Sequence, residues 1–372
     1  MHYFLITYGC QMNKAISERI ATILEKQKYK SASTINEADL ILVNMCSVRQ
    51  SAVDRVYGLT PKFKKLREKR AVGGWRPKLK TILTGCILKE DRKKFRNKFD
   101  LILNIKDLPK WPKYLYLKLK NAKPLPWQLF GVNDDYHLKI KPKYSNNFSA
   151  FVPISNGCNN FCSYCVVPYV RGPLVCRNHQ EILKEVKNVI KKGFKEIWLL
   201  GQNVNDYQSS TDPTINFPKL LKMIDKIGGD FKIFFTSPHP ADFTKELIDT
   251  MARCKKVAHY LNLPVQSGDN TILKKMNRPY TIEQYKNLVK KIRKKISEIR
   301  LSTDVIVGFP GETEKQFQNT VKLFKEIKFD YGYIAKYSPR PGTAAFKLKD
   351  DVPLEEKKRR EKILRELIKK DE

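Results

Sequence analysis

The chain has 372 residues, 41% hydrophobic and 30% charged, which is enough for a buried core and for two or three domains. Its 72 Lys and Arg against 38 Asp and Glu give a formal charge of +34. That balance points to a polyanionic partner, nucleic acid first, with lysines spread over a solvated surface as the alternative. No stretch reaches the ~18 apolar residues of a membrane helix, and MHYFLITYGC lacks the parts of a signal peptide, so a cytoplasmic location with reduced thiols is expected.

In chain order, YFLITY (3–8) predicts a strand, 14–28 a helix, LILVNM (40–45) a strand, Val48 to Lys69 a helix, and TILTG (81–85) and DLILN (100–104) two further strands. The alternation predicts a parallel sheet with helices packed on it. Cys10, Cys46 and Cys86 follow the first three strands. They are too scattered for a local metal knuckle. In a parallel sheet, however, the strand C-termini share one edge, where ligands gather. TYGC and LTGC put glycine before two of these cysteines, which lets the backbone approach a bulky group. A shared cofactor is the reading; three unrelated buried thiols are the alternative.

Pro109, Pro112, Pro124, Pro126 and Pro142 mark a connector, with a boundary expected near 147. The expected organisation is a first domain over 1–120, a linker over 121–146, a second domain over 147–350 and a charged helical segment over 351–372. The second domain carries six strand-like runs: 151–155, 197–201, 232–237, 260–265, 301–309 and 331–338. Helical patterns at 179–192, 242–253, 281–297 and 313–327 separate most of them. Six β/α units fit a barrel or partial barrel with its active face at the strand C-termini.

NGCNNFCSYCVVPYVRG (156–172) follows the first of these strands and spaces Cys158, Cys162 and Cys165 as CxxxCxxC. Four thiolates complete the protein ligation of a [4Fe–4S] cluster, so three leave one iron open to a substrate. Phe161 and Tyr164 lie between the cysteines and are expected to shield a cluster from water. The alternative, zinc, needs a fourth ligand, and His179 is the nearest downstream histidine. Cys176 is set aside because a fourth thiolate closes the cluster, and Cys254 reads as a plain thiol. Gln202 and Asn203 in GQNVN, His239 in TSPHP, and Gln266 and Ser267 in LPVQSG all sit just past strands, as site residues or strand-end caps. Asp304 lies inside a strand, facing the barrel or capping a buried donor. Arg171 is a candidate partner for a carboxylate or phosphate. GFPGE (308–312) is a tight turn rather than a phosphate loop. KKLREKR (64–70) and KKIRKK (290–295) read as solvated helix faces that add general attraction for RNA.

The CxxxCxxC spacing resembles the radical S-adenosylmethionine signature, and the chain from about 1 to 345 resembles the methylthiotransferases of that superfamily. TYGCQMN (7–13), VNMCSVRQSA (43–52) and LTGC (83–86) are similar to their N-terminal domain. GCNNFCSYCVVPYVRG (157–172), LLGQNVNDY (199–207), TSPHP (236–240), LPVQSGDN (263–270), STDVIVGFPGET (302–313) and YSPRPGT (337–343) are similar to their catalytic domain. The resemblance implies an N-terminal parallel-sheet α/β domain followed by a partial (β/α)6 barrel. It implies two [4Fe–4S] clusters, an auxiliary one on Cys10, Cys46 and Cys86 and an S-adenosylmethionine-binding one on Cys158, Cys162 and Cys165. Phe161, Tyr164, Gln202, Gln266 and Ser267 become candidates for binding S-adenosylmethionine. Gln202, His239, Gln266 and Asp304 become candidate catalytic residues.

Among the branches, GCQMN, CSVR and YCVVPY resemble the one that modifies isopentenyladenosine beside the tRNA anticodon. The branch acting on threonylcarbamoyl-adenosine more often reads GCKVN, and the branch acting on a ribosomal-protein aspartate GCPKN. The implied partners are tRNA and a reduced donor such as flavodoxin or ferredoxin, and a monomer without membrane attachment is expected. The family usually ends in a small RNA-binding barrel, TRAM. Nothing in this sequence resembles it, so the basic surface is expected to carry RNA binding. A non-catalytic RNA-binding protein with structural metal is the alternative from another class.

Overall fold

The computed structural model describes residues 1–73, 77–119 and 137–369. It forms two compact units, Met1–Asn146 and Asn147–Glu372. Most of the expected linker, including Pro124 and Pro126, lies outside the described residues. Its last part is no free connector. Arg19 Nε donates to the Leu138 carbonyl at 3.3 Å, Thr22 Oγ1 to that of Lys141 at 2.8 Å, and Lys143 N to that of Glu18 at 3.0 Å. The first unit therefore runs past the expected end at 120, because 137–146 satisfies its polar groups on the first helix.

That unit contains β1 (His2–Thr7), α1 (Gln11–Lys26), β2 (Lys30–Ser31), β3 (Leu40–Cys46), α2 (Gln50–Gly73), β4 (Lys80–Cys86), α3 (Lys89–Phe95), β5 (Leu101–Ile102) and α4 (Trp111–Leu119). The sheet is parallel throughout, in the order β2-β1-β3-β4-β5. LILVNMC of β3 is buried along its whole length, as a strand covered on both faces must be. Ile41, Val43 and Met45 pack with Val53, Val56 and Phe63 of α2 and with Phe95 and Phe99.

Polar residues dock α1 onto the strand ends. Asn13 Nδ2 donates to Asn44 Oδ1 at 3.1 Å and to the Met45 carbonyl at 3.2 Å, while Asn44 Nδ2 donates to the Asn13 carbonyl and to Ser17 Oγ, both at 2.9 Å. All of these groups are buried and mutually satisfied, which a low-dielectric interior requires.

The second unit opens with β6 (Ser149–Pro153), β7 (Ser155–Asn156), α5 (Val167–Arg171), β8 (Val175–Cys176), α6 (His179–Lys191), β9 (Glu196–Leu200), α7 (Phe217–Asp225), β10 (Lys232–Phe235) and α8 (Lys245–Arg253). It continues with β11 (Tyr260–Asn262), α9 (Asn270–Lys275), α10 (Ile282–Lys295), β12 (Arg300–Val307), α11 (Glu314–Ile327), β13 (Tyr331–Lys336) and α12 (Leu354–Lys369).

Strands β6, β9 and β10 form one parallel sheet and β11, β12 and β13 another. A single parallel bridge, Ile233 to Val257, joins them, with Ile233 N donating to Lys256 O at 2.7 Å and Ala258 N to Ile233 O at 2.9 Å. The six strands thus follow one another in chain order around an arc, a partial barrel. β11 is shorter than expected because Pro264 has no N–H to continue the ladder. Thr281 and Thr313 start α10 and α11 with reciprocal capping boxes. α12 packs on β13 and buries Arg360 against Glu312, Nη1 to Oε2 at 2.8 Å. No described helix is long and apolar enough to cross a membrane.

Candidate active site

The loop 157–174 leaves the end of the first barrel strand, and the antiparallel pair β7–β8 closes its base. Gly157 starts it at φ +87°, and a Cβ there meets the Pro173 carbonyl oxygen at 2.0 Å, so only glycine fits. Gln202, at the end of β9, accepts from Gly157 N at 2.6 Å. It braces the loop that carries the thiols.

Ser163 anchors the other side, its N donating to Met276 O at 3.0 Å and its Oγ to Lys275 O at 2.8 Å, while Ala345 N donates to its carbonyl at 2.7 Å. Cys165 N donates to Cys162 O at 2.9 Å and Cys158 N to Gly172 O at 3.3 Å, which turns the three thiols through one tight loop. Burial pushes the Cys158 thiol up and the Cys165 thiol up to about 12, and neighbouring thiolates add to both. Such a group of thiols ionises readily only beside a compensating positive charge.

One such charge is built in. Arg278 is buried, and its Nη1 donates to Cys162 Sγ at 3.4 Å. Its Nε donates to Tyr280 Oη at 2.9 Å and its Nη2 to Pro264 O at 3.2 Å, and Tyr280 Oη donates on to Val265 O at 2.9 Å. The guanidinium is therefore fixed in place. Sequence analysis missed Arg278; its one legible signal was a lone arginine between Pro279 and Asn277, which also marks a turn.

The strand ends bring further polar groups to this face. Asn203 Nδ2 donates to Asp242 Oδ2 at 2.7 Å. Its Oδ1 is buried without a partner among the described residues. Asn205 clamps His239 through Nδ2 to His239 O at 2.9 Å and from His239 N to its own Oδ1 at 2.8 Å. His239 Nδ1 accepts from Ala241 N at 3.3 Å, which puts the proton of a neutral ring on the buried, unpartnered Nε2. Burial pushes the His239 pKa down to about 3, and the Arg278 charge acts in the same direction, so the ring is neutral. Asp206 is held above the usual carboxylate range by burial and by Asp242. Both carboxylates act on the Cys158 thiol, so negative charge gathers beside the cysteine loop.

Across the arc, Gln266 sits at φ +70° and bridges to β12 through its backbone, N to Asp304 O at 2.8 Å and O from Ile306 N at 3.0 Å. Asp304 Oδ2 accepts from Asn262 Nδ2 at 2.9 Å. Ser267 is fully buried, and its Oγ accepts from Asp269 N at 3.3 Å, so it shapes a turn instead of lining an open surface. Tyr164 packs with Ile272, Met276, Phe309 and Tyr337 beneath the loop. Phe161 is a surface residue of the loop. It is 54% exposed, its backbone left-handed at φ +44° and its ring edge-on to Tyr169. Arg171 Nη1 donates to Asn156 Oδ1 at 2.8 Å, which ties the loop base. Cys176 lies in the β7–β8 ladder and Cys254 caps α8.

In the first unit, Cys46 and Cys86 are direct partners across β3 and β4. A hydrogen bond from Cys86 pushes the Cys46 thiol well up, and burial and the charges of Cys86 and Cys10 add to this. Cys10 caps the start of α1, its carbonyl accepting from Asn13 N at 2.9 Å, and its Sγ donates to Asn13 Oδ1 at 3.5 Å. Gly85 permits the register at φ +112°, where a Cβ meets the Met45 carbonyl oxygen at 2.1 Å. The sheet edge brings together three thiols that are far apart in sequence.

Residues 152–324 match the Radical SAM superfamily and residues 2–104 match the Uncharacterized protein family UPF0004. A tRNA-2-methylthio-N(6)-dimethylallyladenosine synthase of Clostridium novyi (strain NT) is 42% identical over 356 residues, 94% of this chain and 77% of that protein. One of Clostridium tetani (strain Massachusetts / E88) is 39% identical over 373 residues, 99% of this chain and 81% of that protein. The chain belongs to the radical S-adenosylmethionine methylthiotransferases.

Membership implies a [4Fe–4S] cluster and S-adenosylmethionine as cofactors of this methylthiotransferase. Its fold is shared by the radical S-adenosylmethionine methyltransferase TsrM from Kitasatospora setae, at a TM-score of 0.61 and 13% identity over 90% of this chain and 72% of that one. It is shared too by the cobalamin-dependent radical enzyme OxsB, at a TM-score of 0.60 and 13% identity over 99% of this chain and 56% of that one.

Proposed function

We propose that this methylthiotransferase acts on tRNA and places a methylthio group on carbon 2 of N(6)-isopentenyladenosine at position 37, beside the anticodon, using two molecules of S-adenosylmethionine. One observation carries the reading: two separate three-thiol sites, each at strand C-termini, in a chain 42% identical to a relative named for that product. The signatures GCQMN, CSVR and YCVVPY and the charge of +34 support the substrate.

The residues fit the implied groups. In each unit the thiols act on one another electrostatically, Cys46 with Cys86 and Cys10, and Cys158 and Cys165 with Cys162. A cubane puts each thiolate on its own iron, so its ligands stand further apart than those of one zinc. Cys158, Cys162 and Cys165 would hold the cluster that binds S-adenosylmethionine, and Cys10, Cys46 and Cys86 an auxiliary cluster. Bound there, the first cluster would supply the electron for reductive cleavage of S-adenosylmethionine, the chemistry that activates carbon 2, and the auxiliary cluster would supply sulfur.

The chain's own residues bind and orient. Gly157, Gln202 and Ser163 shape the thiol loop, and Arg278 offsets its negative charge. Asp206 and Asp242 favour the cationic ammonium and sulfonium of S-adenosylmethionine. Asn203 Oδ1 offers an acceptor, and neutral His239 offers an Nε2–H donor. Gln266 and Asp304 face them across the arc as candidates for the nucleoside. The electron donor is a flavodoxin or ferredoxin, and the protein works as a cytoplasmic monomer.

The test is mass spectrometry of tRNA nucleosides from a bacterium lacking its own enzyme for this step and expressing this chain. The 2-methylthio derivative of isopentenyladenosine is expected. Unmodified isopentenyladenosine beside cluster-loaded protein would refute the substrate and direct attention to threonylcarbamoyl-adenosine or a ribosomal-protein aspartate.

A further inference from the structure

A cavity of about 730 Å³ lies between α8 and α10, in the size range of ligand pockets. It belongs to neither thiol site. Phe243, Ile248, Tyr280 and Tyr285 are buried and make its floor. Lys245, Lys291, Lys294 and Lys295 stand on its walls, against one carboxylate, Asp249. Asp249 is committed to Lys295 at 3.2 Å. Lys291 and Lys294 have no acidic partner among the described residues, while Lys245 shares the field of Asp249 with Lys295. Asn287 adds an exposed amide to the wall. An aromatic floor under a wall of unneutralised ammonium groups suits a ligand that is flat and apolar at one end and anionic at the other. A nucleotide is such a ligand. The buried floor offers a base apolar contact rather than a full stacking face, and phosphates pair with lysine.

The position fits as well. Pro240 and Ala241 of the groove directly follow His239, and Tyr280 of the floor accepts a hydrogen bond from Arg278, which also donates to Cys162. The groove thus opens a residue or two from the strand-end face. An RNA strand whose modified base reaches that face must lead its flanking nucleotides over adjacent surface.

We infer that the groove between α8 and α10 holds a nucleotide of the RNA strand flanking the modified base, with its phosphate on Lys245, Lys291 and Lys294. The inference rests on the RNA reading of the function. An acidic electron-donor protein is the competing occupant, but a flat partner surface has no use for a concave aromatic floor.

The test compares two triple variants of the cluster-loaded full chain. K245Q/K291Q/K294Q removes three charges from the groove, and K64Q/K65Q/K69Q removes three exposed charges from α2. Each is titrated with a synthetic anticodon stem–loop RNA carrying isopentenyladenosine, by fluorescence anisotropy over a range of salt. The groove variant is expected to bind about tenfold more weakly near 0.1 M salt. Its slope of log affinity against log salt should flatten by about one, since one phosphate contact contributes roughly 0.7–0.9. The α2 variant should lose less than about threefold. Equal behaviour of the two variants, with the wild type binding RNA, overturns the groove alone. A wild type that does not bind the RNA overturns both the groove and the RNA reading. Unchanged RNA binding with slower reduction by an acidic flavoprotein overturns the groove in favour of a protein dock.

Discussion

Arg278 shows what a single buried charge does at this site. A hydrogen bond from a guanidinium to a ligating sulfur favours the more negative, reduced form of an iron–sulfur group. Arg278→Gln is therefore expected to leave iron content unchanged, to lower the midpoint potential in an EPR-monitored titration, and to slow electron uptake by roughly tenfold. Arg278→Lys should recover part of the shift. An unchanged potential would reduce Arg278 to a packing residue. His239 makes a different prediction. Its pKa in the folded chain is about 3 against an ordinary 6.5, so the unfolded chain binds the proton more tightly between those values. The stability that depends on a neutral His239 is complete above pH 6.5 and is lost as pH falls from there toward 3, at up to about 1.4 kcal/mol per pH unit. Chemical denaturation of wild type and His239→Gln at several pH values checks this. The gap between them should close on acidification, and a constant gap refutes a depressed pKa.

At the scale of elements, α12 is held to the barrel by charge as well as packing. Arg360 Nη1 donates to Glu312 Oε2 at 2.8 Å and to the Glu312 carbonyl at 3.0 Å, and Gly308 N donates to the same carboxylate oxygen at 2.6 Å. Burial raises the Glu312 pKa while Arg360 and the Gly308 amide pull it down. Removing Arg360 leaves the Glu312 carboxylate buried without a counter-charge, which costs about 3–5 kcal/mol. Arg360→Met is expected to destabilise the second unit by about that amount in urea denaturation, and Arg360→Met with Glu312→Gln by clearly less. Equal loss in both variants would show that packing, not charge, carries the contact. The elements themselves were largely legible. Buried runs such as LILVNMC and VIV announce strands because both faces are covered. The two-residue β2 was not legible, since Lys30 and Ser31 are exposed at a sheet edge and carry no pattern. The short α9 was missed because its six residues are too few to show a period.

For the whole molecule, the two thiol sites lie in separate compact units, so their losses should be separable. Replacing Cys10, Cys46 and Cys86 by serine is expected to cut bound iron from about eight to about four per chain. Reductive cleavage of S-adenosylmethionine should persist, while methylthio product falls below about 1% of wild type. Replacing Cys158, Cys162 and Cys165 should abolish both. Loss of cleavage in the first variant would show that the sites are not independent. The cysteine spacing made this division readable, because thiols at strand ends carry both a position and a chemistry. The polar surroundings were less readable. Gln202 turned out to brace Gly157, and Ser267 to fold inward, because a polar residue past a strand serves a turn as readily as a ligand.

The partial barrel is two half-shells joined along the strands by the single pair Ile233 and Val257. One shell carries the cysteine loop, Asp206, Asp242 and His239; the other carries Gln266, Arg278 and Asp304. The contacts from Cys162 and Ser163 to Arg278, Lys275, Met276 and Ala345 link one shell to the other away from that pair. The loop is thus a stitch as well as a ligand set. A group held by the three thiols would therefore be anchored on both halves at once, through the loop on one side and Arg278 on the other.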